Sequence, residues 1–250
     1  MVVYPLSVTS TKAAIIAQLQ KDILPLQGFK KILNPGALDV VPVVIRNAFP
    51  NARFPLGAIH EFISTKVEDT ASTGGFVSGI LASLMLNGGA CIWIGSSKII
   101  FPPALKSFGI EPDKIIFIDL KKEKEILWAM EEALKCDGLS AVVGEMQELS
   151  FTDSRRLQLA VEESRVTGFI LRHSLQNLNT TACVTRWKIT SLPSELQDDM
   201  PGVGFPRWNV ELLKVRNGKP GSWQIEFTAG HFRHISKITT IPLEQQKKTG

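Results

Sequence analysis

A stretch of hydroxyls and glycines, Ser64-Thr-Lys-Val-Glu-Asp-Thr-Ala-Ser-Thr-Gly-Gly75, stands where an α/β protein would hold a phosphate. It follows a short apolar run, residues 58–63. It precedes a segment in which Phe76, Ile80, Leu81, Leu84 and Met85 recur at helical spacing. In a strand–loop–helix unit the loop meets the ligand, because the amide donors of the helix N-terminus point there. A phosphate-binding loop of the Walker type reads G-x-x-x-x-G-K-[ST]. Its amides cradle the phosphates, its lysine neutralises the terminal one and its hydroxyl ligates magnesium. Here Gly74-Gly75 runs into Phe76-Val77, where that lysine and hydroxyl would stand, and Lys66 precedes the turn. Ser72, Thr73, Gly74 and Gly75 are thus expected to form a vestigial anion site, contributing about 1 kcal/mol.

Phosphate hydrolysis has two further requirements. A carboxylate at the end of a buried strand must hold magnesium, and Ala141-Val-Val-Gly-Glu145 supplies Glu145 for it. A second carboxylate must activate water, often at the end of the neighbouring strand. That strand ends Ile94-Gly-Ser-Ser-Lys98, without an acid. No catalytic residue, metal or resident cofactor is therefore expected; ATP with magnesium is the alternative. His231-x-x-His234 has no nearby acid or cysteine to complete a metal site, and reads as a surface pair. His60 falls on the first core strand and reads as a hydrogen-bonded structural histidine. Arg172 and His173 end another strand and would line a cleft. Arg186-Trp187 and Arg207-Trp208 match stacking and phosphate contact with a single strand. Their period-two context offers core packing as the competing reading. Ser72 and Ser96 lack a nucleophile-elbow pattern.

The elements that position these residues alternate. Residues 58–63 and 90–94 read as strands around the helix just described, and Asn87-Gly88-Gly89 ends that helix. A short helix over residues 101–109 and a strand over 114–119 follow. Next come a helix over 121–135, a strand over 141–143, a helix over 153–164 and a strand over 167–171. Strand and helix in alternation call for a parallel sheet covered on both faces. Past residue 180 the texture becomes antiparallel. Residues 181–190 alternate, and residues 208–215 and 223–228 flank Asn217-Gly218, a hairpin signal. Residues 192–206 read as an exposed loop. Before the core, Thr9-Ser10 caps a helix over residues 11–26 with Ile15, Ile16, Leu19, Ile23 and Leu26 on one face. The expected organisation is an N-terminal helix and linker over 1–52, one α/β domain over 53–230 and a flexible basic tail over 231–250.

With 44% hydrophobic residues, the 250-residue chain can bury a sizeable core. Its 28 basic and 24 acidic residues leave a net charge of +4, which permits nucleic acid without demanding it. Cys91, Cys136 and Cys183 are widely spaced, which suits reduced thiols in a reducing compartment. No run approaches the roughly 18 apolar residues of a membrane span, and the N-terminus lacks a secretion signal. A cytoplasmic protein is expected.

Several segments, in this order, resemble the ImuA proteins, RecA-related members of the SulA superfamily. They are Phe54-Pro-Leu-Gly-Ala-Ile-His-Glu61, Leu127-Trp-Ala-Met-Glu-Glu-Ala-Leu134, Ala141-Val-Val-Gly-Glu145 and Ser154-Arg-Arg-Leu-Gln-Leu-Ala160. Thr185-Arg-Trp187, Pro206-Arg-Trp208 and the hairpin at residues 216–223 complete the set. The resemblance implies a RecA-like core: a mostly parallel twisted sheet with helices on both faces and antiparallel strands at the C-terminal end. It implies an accessory factor of SOS-induced mutagenic translesion synthesis, cytoplasmic and nucleoid-associated during DNA damage. The implied partners are a catalytically defective Y-family polymerase-like protein and an error-prone C-family DNA polymerase. RecA itself is a further implied partner, DNA is reached indirectly, and no membrane is involved. Ser72, Thr73, Gly74, Gly75 and Glu145 then stand where a recombinase binds nucleotide. Arg172, His173, Arg186, Trp187, Arg207 and Trp208 become the expected partner or DNA contacts. A recombinase's DNA loops would follow the strands at 141–143 and 167–171, but here they are cut short or reduced to a remnant at residues 174–181. The alternatives are a RecA-type ATPase, a single-stranded DNA-binding protein and a cell-division inhibitor of the SulA type.

Overall fold

The structure is a computed structural model describing Leu19 and residues 40–86, 88–95, 102–173, 178–195 and 204–235. Its frame is a nine-stranded sheet in the order β3-β2-β4-β5-β1-β6-β7-β8-β9. The parallel part comprises β1 (Ile59–Ser64), β2 (Ala90–Gly95), β3 (Ile115–Asp119), β4 (Leu139–Met146) and β5 (Thr167–His173). β6 (Thr185–Leu192) joins β1 in parallel. Then β7 (Arg207–Val215), β8 (Gly221–Thr228) and β9 (His231–His234) continue the sheet antiparallel. The turn between β7 and β8 places Asn217 at φ 57°, the left-handed region that an Asn-Gly turn supplies.

Helices cover the sheet as the apolar spacing requires. A single turn, α1 (Val43–Arg46), and the long α2 (Val67–Met85) lie on one face. There Phe76, Val77, Ile80 and Leu81 pack with Phe62, Phe169, Trp187 and Trp208. The other face carries α3 (Glu123–Leu134) and α4 (Phe151–Ser164). Ile126, Met130 and Leu134 of α3 meet Leu157 and Val161 of α4 over Ile59, Val142 and Ile170. The interior strands β1, β4 and β5 are buried on both sides along most of their length, as strands roofed twice are. α4 starts at Phe151 rather than Asp153, since Ser150 caps it by accepting from the Asp153 amide at 3.0 Å.

Two expected boundaries move. The basic tail does not begin at residue 231, because residues 231–234 form β9. Phe232 turns inward there, 5.0 Å from the Phe76 ring and 5.1 Å from that of Phe227. Residues 64–75 are not all loop, because α2 already begins at Val67. The N-terminal helix expected over residues 11–26 lies outside the described residues except at Leu19, which is helical and exposed. The rest of the tail, from residue 236, the remnant at residues 174–177 and residues 196–203 of the long loop lie outside them too. Among the described residues no helix is long and apolar enough to cross a membrane.

Candidate functional site

Strand ends β1, β4 and β5 meet the start of α2 at the edge where the hydroxyl- and glycine-rich stretch was expected to cradle an anion. Instead, Ser72, Thr73, Gly74 and Gly75 sit in the second and third turns of α2. Their amides are spent on the helix itself, since each interior N–H bonds a carbonyl four residues back. The hydroxyls follow suit: Ser72 donates to the Glu68 carbonyl at 3.0 Å, and Thr73 shares a hydrogen bond with Ser64 at 3.0 Å. Thr73 is fully buried. Gly75 serves packing, because a Cβ there would meet Phe108 and Trp208 side chains at 3.2 Å. The true helix start, at Val67, carries Glu68 and Asp69 in its first turn. These carboxylates already answer the helix dipole, and they repel a phosphate. The vestigial anion cradle assigned to residues 72–75 is therefore corrected: the residues are helical and turned inward.

Glu145 does reach the carboxyl end of β4, and is buried there. Its carboxylate lies across the neighbouring strand, accepting from Trp93 Nε1 at 2.8 Å. It also fills the space above Gly95, where a Cβ would come within 2.5 Å of Glu145 Oε2. The group is placed as a strut between β2 and β4.

Among the described residues, a dense charge cluster lies elsewhere, around Glu61 in the middle of β1. Glu61 is fully buried, and each of its oxygens has guanidinium company. Arg172 Nη1 donates to Oε1 at 2.7 Å, and Arg186 Nε donates to Oε2 at 2.8 Å. Thr181 Oγ1 adds a further donor at 2.8 Å. Both arginines also grip residues between β5 and β6: Arg172 donates to Asn179 Oδ1, and Arg186 donates to the Asn179 carbonyl. Asn179 in turn donates to the Leu149 carbonyl at 2.6 Å, and Ser154 accepts from the Ala182 amide. The start of β6 is thus clamped to α4 and to the core. A buried carboxylate held this way is stable only while its partners remain.

Arg172 and Arg186 were expected to face a partner or DNA; the structure turns them inward onto Glu61. Trp187 is fully buried and Trp208 is 4% exposed. Trp187 stacks against Phe62 with ring centres 5.9 Å apart, and Trp208 stands edge-on to Phe76 at 5.9 Å. Arg207 bridges Glu226 and Glu195 at 2.7 and 2.8 Å. These five residues hold the sheet together, because period two on a half-covered sheet sends alternate side chains into the core. His173 is half-buried, its Nδ1 3.3 Å from Thr70 Oγ1, and burial lowers its pKa.

His60 is the structural histidine its strand position predicts. Its ring stacks on Phe54 at 4.5 Å. Nε2 donates to the Pro55 carbonyl at 2.8 Å, leaving Nδ1 to accept from Thr185 Oγ1 at 2.7 Å, which itself accepts from Trp187 Nε1. Burial pushes its pKa down to about 4. His231 and His234 stand on β9. Among the described residues, no three His, Cys, Asp or Glu side chains are grouped to hold a metal ion. Burial also raises the thiols of Cys91 and Cys183, the latter to about 12, so neither is a reactive nucleophile at neutral pH. Glu61 was the residue that sequence reading passed over. Its signal was an acid inside an apolar strand, which demands buried partners.

No family model matches the chain. It is 33% identical over 209 residues to Protein ImuA of Caulobacter vibrioides (strain NA1000 / CB15N), covering 78% of this chain and 86% of that protein. It is 29% identical over 103 residues to the cell division inhibitor SulA of Photorhabdus laumondii, covering 41% of this chain and 58% of that one. Among solved structures it matches the RadB recombinase with a TM-score of 0.53 and 13% identity, over 82% of this chain and 100% of the other. The fold is therefore RecA-like, a mostly parallel sheet with antiparallel strands at its C-terminal end.

Proposed function

Because the chain belongs to the ImuA family, we propose that it is a non-catalytic RecA-like adaptor in damage-induced mutagenic translesion synthesis. In this reading it docks a Y-family-like accessory protein and an error-prone C-family polymerase, and reaches DNA through them. One observation carries the absence of ATPase activity: the residues at the phosphate-loop position are helical, with their hydroxyls bonded inside the protein. Two others support it. Glu68 and Asp69 occupy the helix start where a triphosphate would lie. Glu145, the acid expected to hold magnesium, is engaged by Trp93 across the strand.

A ligand that binds only the folded state raises its stability, by about 2.7 kcal/mol at a hundredfold excess over Kd. The expected result is no change in melting temperature on adding ATP and magnesium, with no phosphate released in the presence of single-stranded DNA. ATP turnover that rises with added DNA overturns the adaptor reading in favour of a RecA-type ATPase. Co-expression with the Y-family-like protein, followed by co-purification, tests the docking half separately.

A further inference from the structure

The approach to β6 gathers more positive charge than the described residues neutralise. Glu61 is already held by Arg172 and Arg186. Lys214, near the end of β7, and Arg216, just beyond it, reach the same segment. Lys214 Nζ donates to the Thr181 carbonyl at 2.7 Å, and Arg216 Nη2 donates to the Ala182 carbonyl at 3.0 Å. Among the described residues neither makes an ion pair, and one neutral carbonyl leaves further donors on each. Burial lowers the pKa of both groups; Arg186 adds to the effect at Lys214, and Arg155 of α4 adds to it at Arg216. Glu61 opposes the shift at Lys214, and Glu162 that at Arg216, without reversing either. Apolar side chains adjoin these cations. Arg186 pairs with Lys214 and Trp187 with Leu212, so Leu213 is an extra residue in β7. Such a bulge re-aims a side chain, and Leu213 is 40% exposed. Leu178 is 56% exposed beside Asn179, whose carbonyl accepts from Arg186. Phe151, also exposed, lies one turn before Arg155 on α4.

We propose that Arg155, Lys214 and Arg216, with Leu178 and Leu213 beside them, dock an acidic segment of a protein partner. Its carboxylates meet the cations and its apolar side chains meet the leucines. The class of partner rests on the adaptor reading above; the chemistry rests on these residues. Lys214 and Arg216 are partly buried, so much of their desolvation is already spent before a ligand arrives. A carboxylate placed there accepts charge-assisted hydrogen bonds and relieves the mutual repulsion of the cations. Basic segments are repelled by the same charges, which makes the site selective. A nucleic-acid strand is anionic too, but it stacks successive bases on aromatic rings. The tryptophans of β6 and β7 are in the core, and the apolar side chains beside these cations are mostly leucine.

Fluorescence anisotropy of the full chain with a labelled glutamate-rich peptide carrying spaced leucines tests this. A thymidine oligonucleotide of matched charge and the lysine counterpart of the peptide serve as comparisons. The wild type is expected to prefer the acidic peptide at physiological salt. Arg155→Glu and Leu213→Ser alter exposed side chains. Both variants are expected to keep the circular dichroism of the wild type and to bind that peptide several-fold more weakly. Lys214→Met is expected to do the same, and where it does not fold the two exposed variants decide. Peptide binding unchanged in both exposed variants overturns the proposal, and so does a tighter hold on the oligonucleotide. Co-purification with the Y-family-like protein keeps the two readings apart. A wild type that holds the peptide through these residues but captures no such partner supports the site and overturns the docking half of the adaptor reading. A complex that survives Arg155→Glu and Leu213→Ser combined supports the adaptor reading and overturns this site as its contact.

Discussion

At the scale of single residues, the polar groups buried in the strands hold one another, apart from His173 Nε2, which is buried without a hydrogen-bond partner. His60 shows this most directly, because both ring nitrogens are occupied and the ring is neutral in the native state. The unfolded chain binds a proton on this histidine near pH 6.5, and the native one only near pH 4. Between those values the unfolded state holds more protons, so stability falls as pH drops through the window and levels off below about 4. At 1.36 kcal/mol per unit, the loss sums to roughly 3 kcal/mol. Urea melts of the wild type and of His60→Gln should show the variant less stable at pH 8, with the gap narrowing toward pH 4.5. A gap that stays constant over that range would mean the ring titrates normally in the folded protein. Glu61 belongs to the same logic, since its carboxylate is useful only as the hub of Arg172 and Arg186.

At the scale of elements, α2 shows why its first turns resemble a vestigial phosphate loop in sequence. Serine, threonine and glycine favour loops when exposed, but a helix laid close against a sheet needs small side chains on its inner face. The hydroxyls of Thr70, Ser72 and Ser78 then return to carbonyls four residues back. Gly79 completes that face. A Cβ there would come within 2.5 Å of Phe232 and 3.0 Å of Phe227, so Gly79→Val forces β8 and β9 away from the helix. The expected cost is about 1–3 kcal/mol. Hydrogen exchange should show it locally, as lost amide protection across residues 231–234 with β4 and β5 unchanged. Protection of β9 equal to wild type would mean that Phe232 does not pack on α2. The strands β1 to β8 were legible in the sequence, because apolar runs and alternation report burial directly. β9 was hidden in the basic run that follows it, with Phe232 as its one inward mark. The buried fate of Arg172 and Arg186 depended on Glu61, a partner more than a hundred residues away, which no local pattern reveals.

At the scale of the whole molecule, the balance of charge argues against direct use of DNA. The chain has 28 basic and 24 acidic residues, and three of the arginines nearest the expected strand-binding surface are paired with Glu61, Glu195 or Glu226. The two tryptophans that stacking would need are in the core. Single-stranded DNA should therefore bind only through diffuse charge, with Kd on the order of 10⁻⁴–10⁻⁶ M at physiological salt and a steep loss as salt rises. Trp208→Ala separates the two roles of that ring. As a core residue it should lower stability by about 3–5 kcal/mol, while the fraction that remains folded binds a labelled oligonucleotide as the wild type does. Anisotropy at several salt concentrations, beside a urea melt of the same sample, reads both quantities. A Trp208→Ala protein that melts like the wild type but binds DNA tenfold more weakly would place the ring on the nucleic acid. That result would return the chain to the class of single-stranded DNA-binding proteins. The packing of Trp208 between Phe76 and Phe227 makes the opposite outcome the expected one.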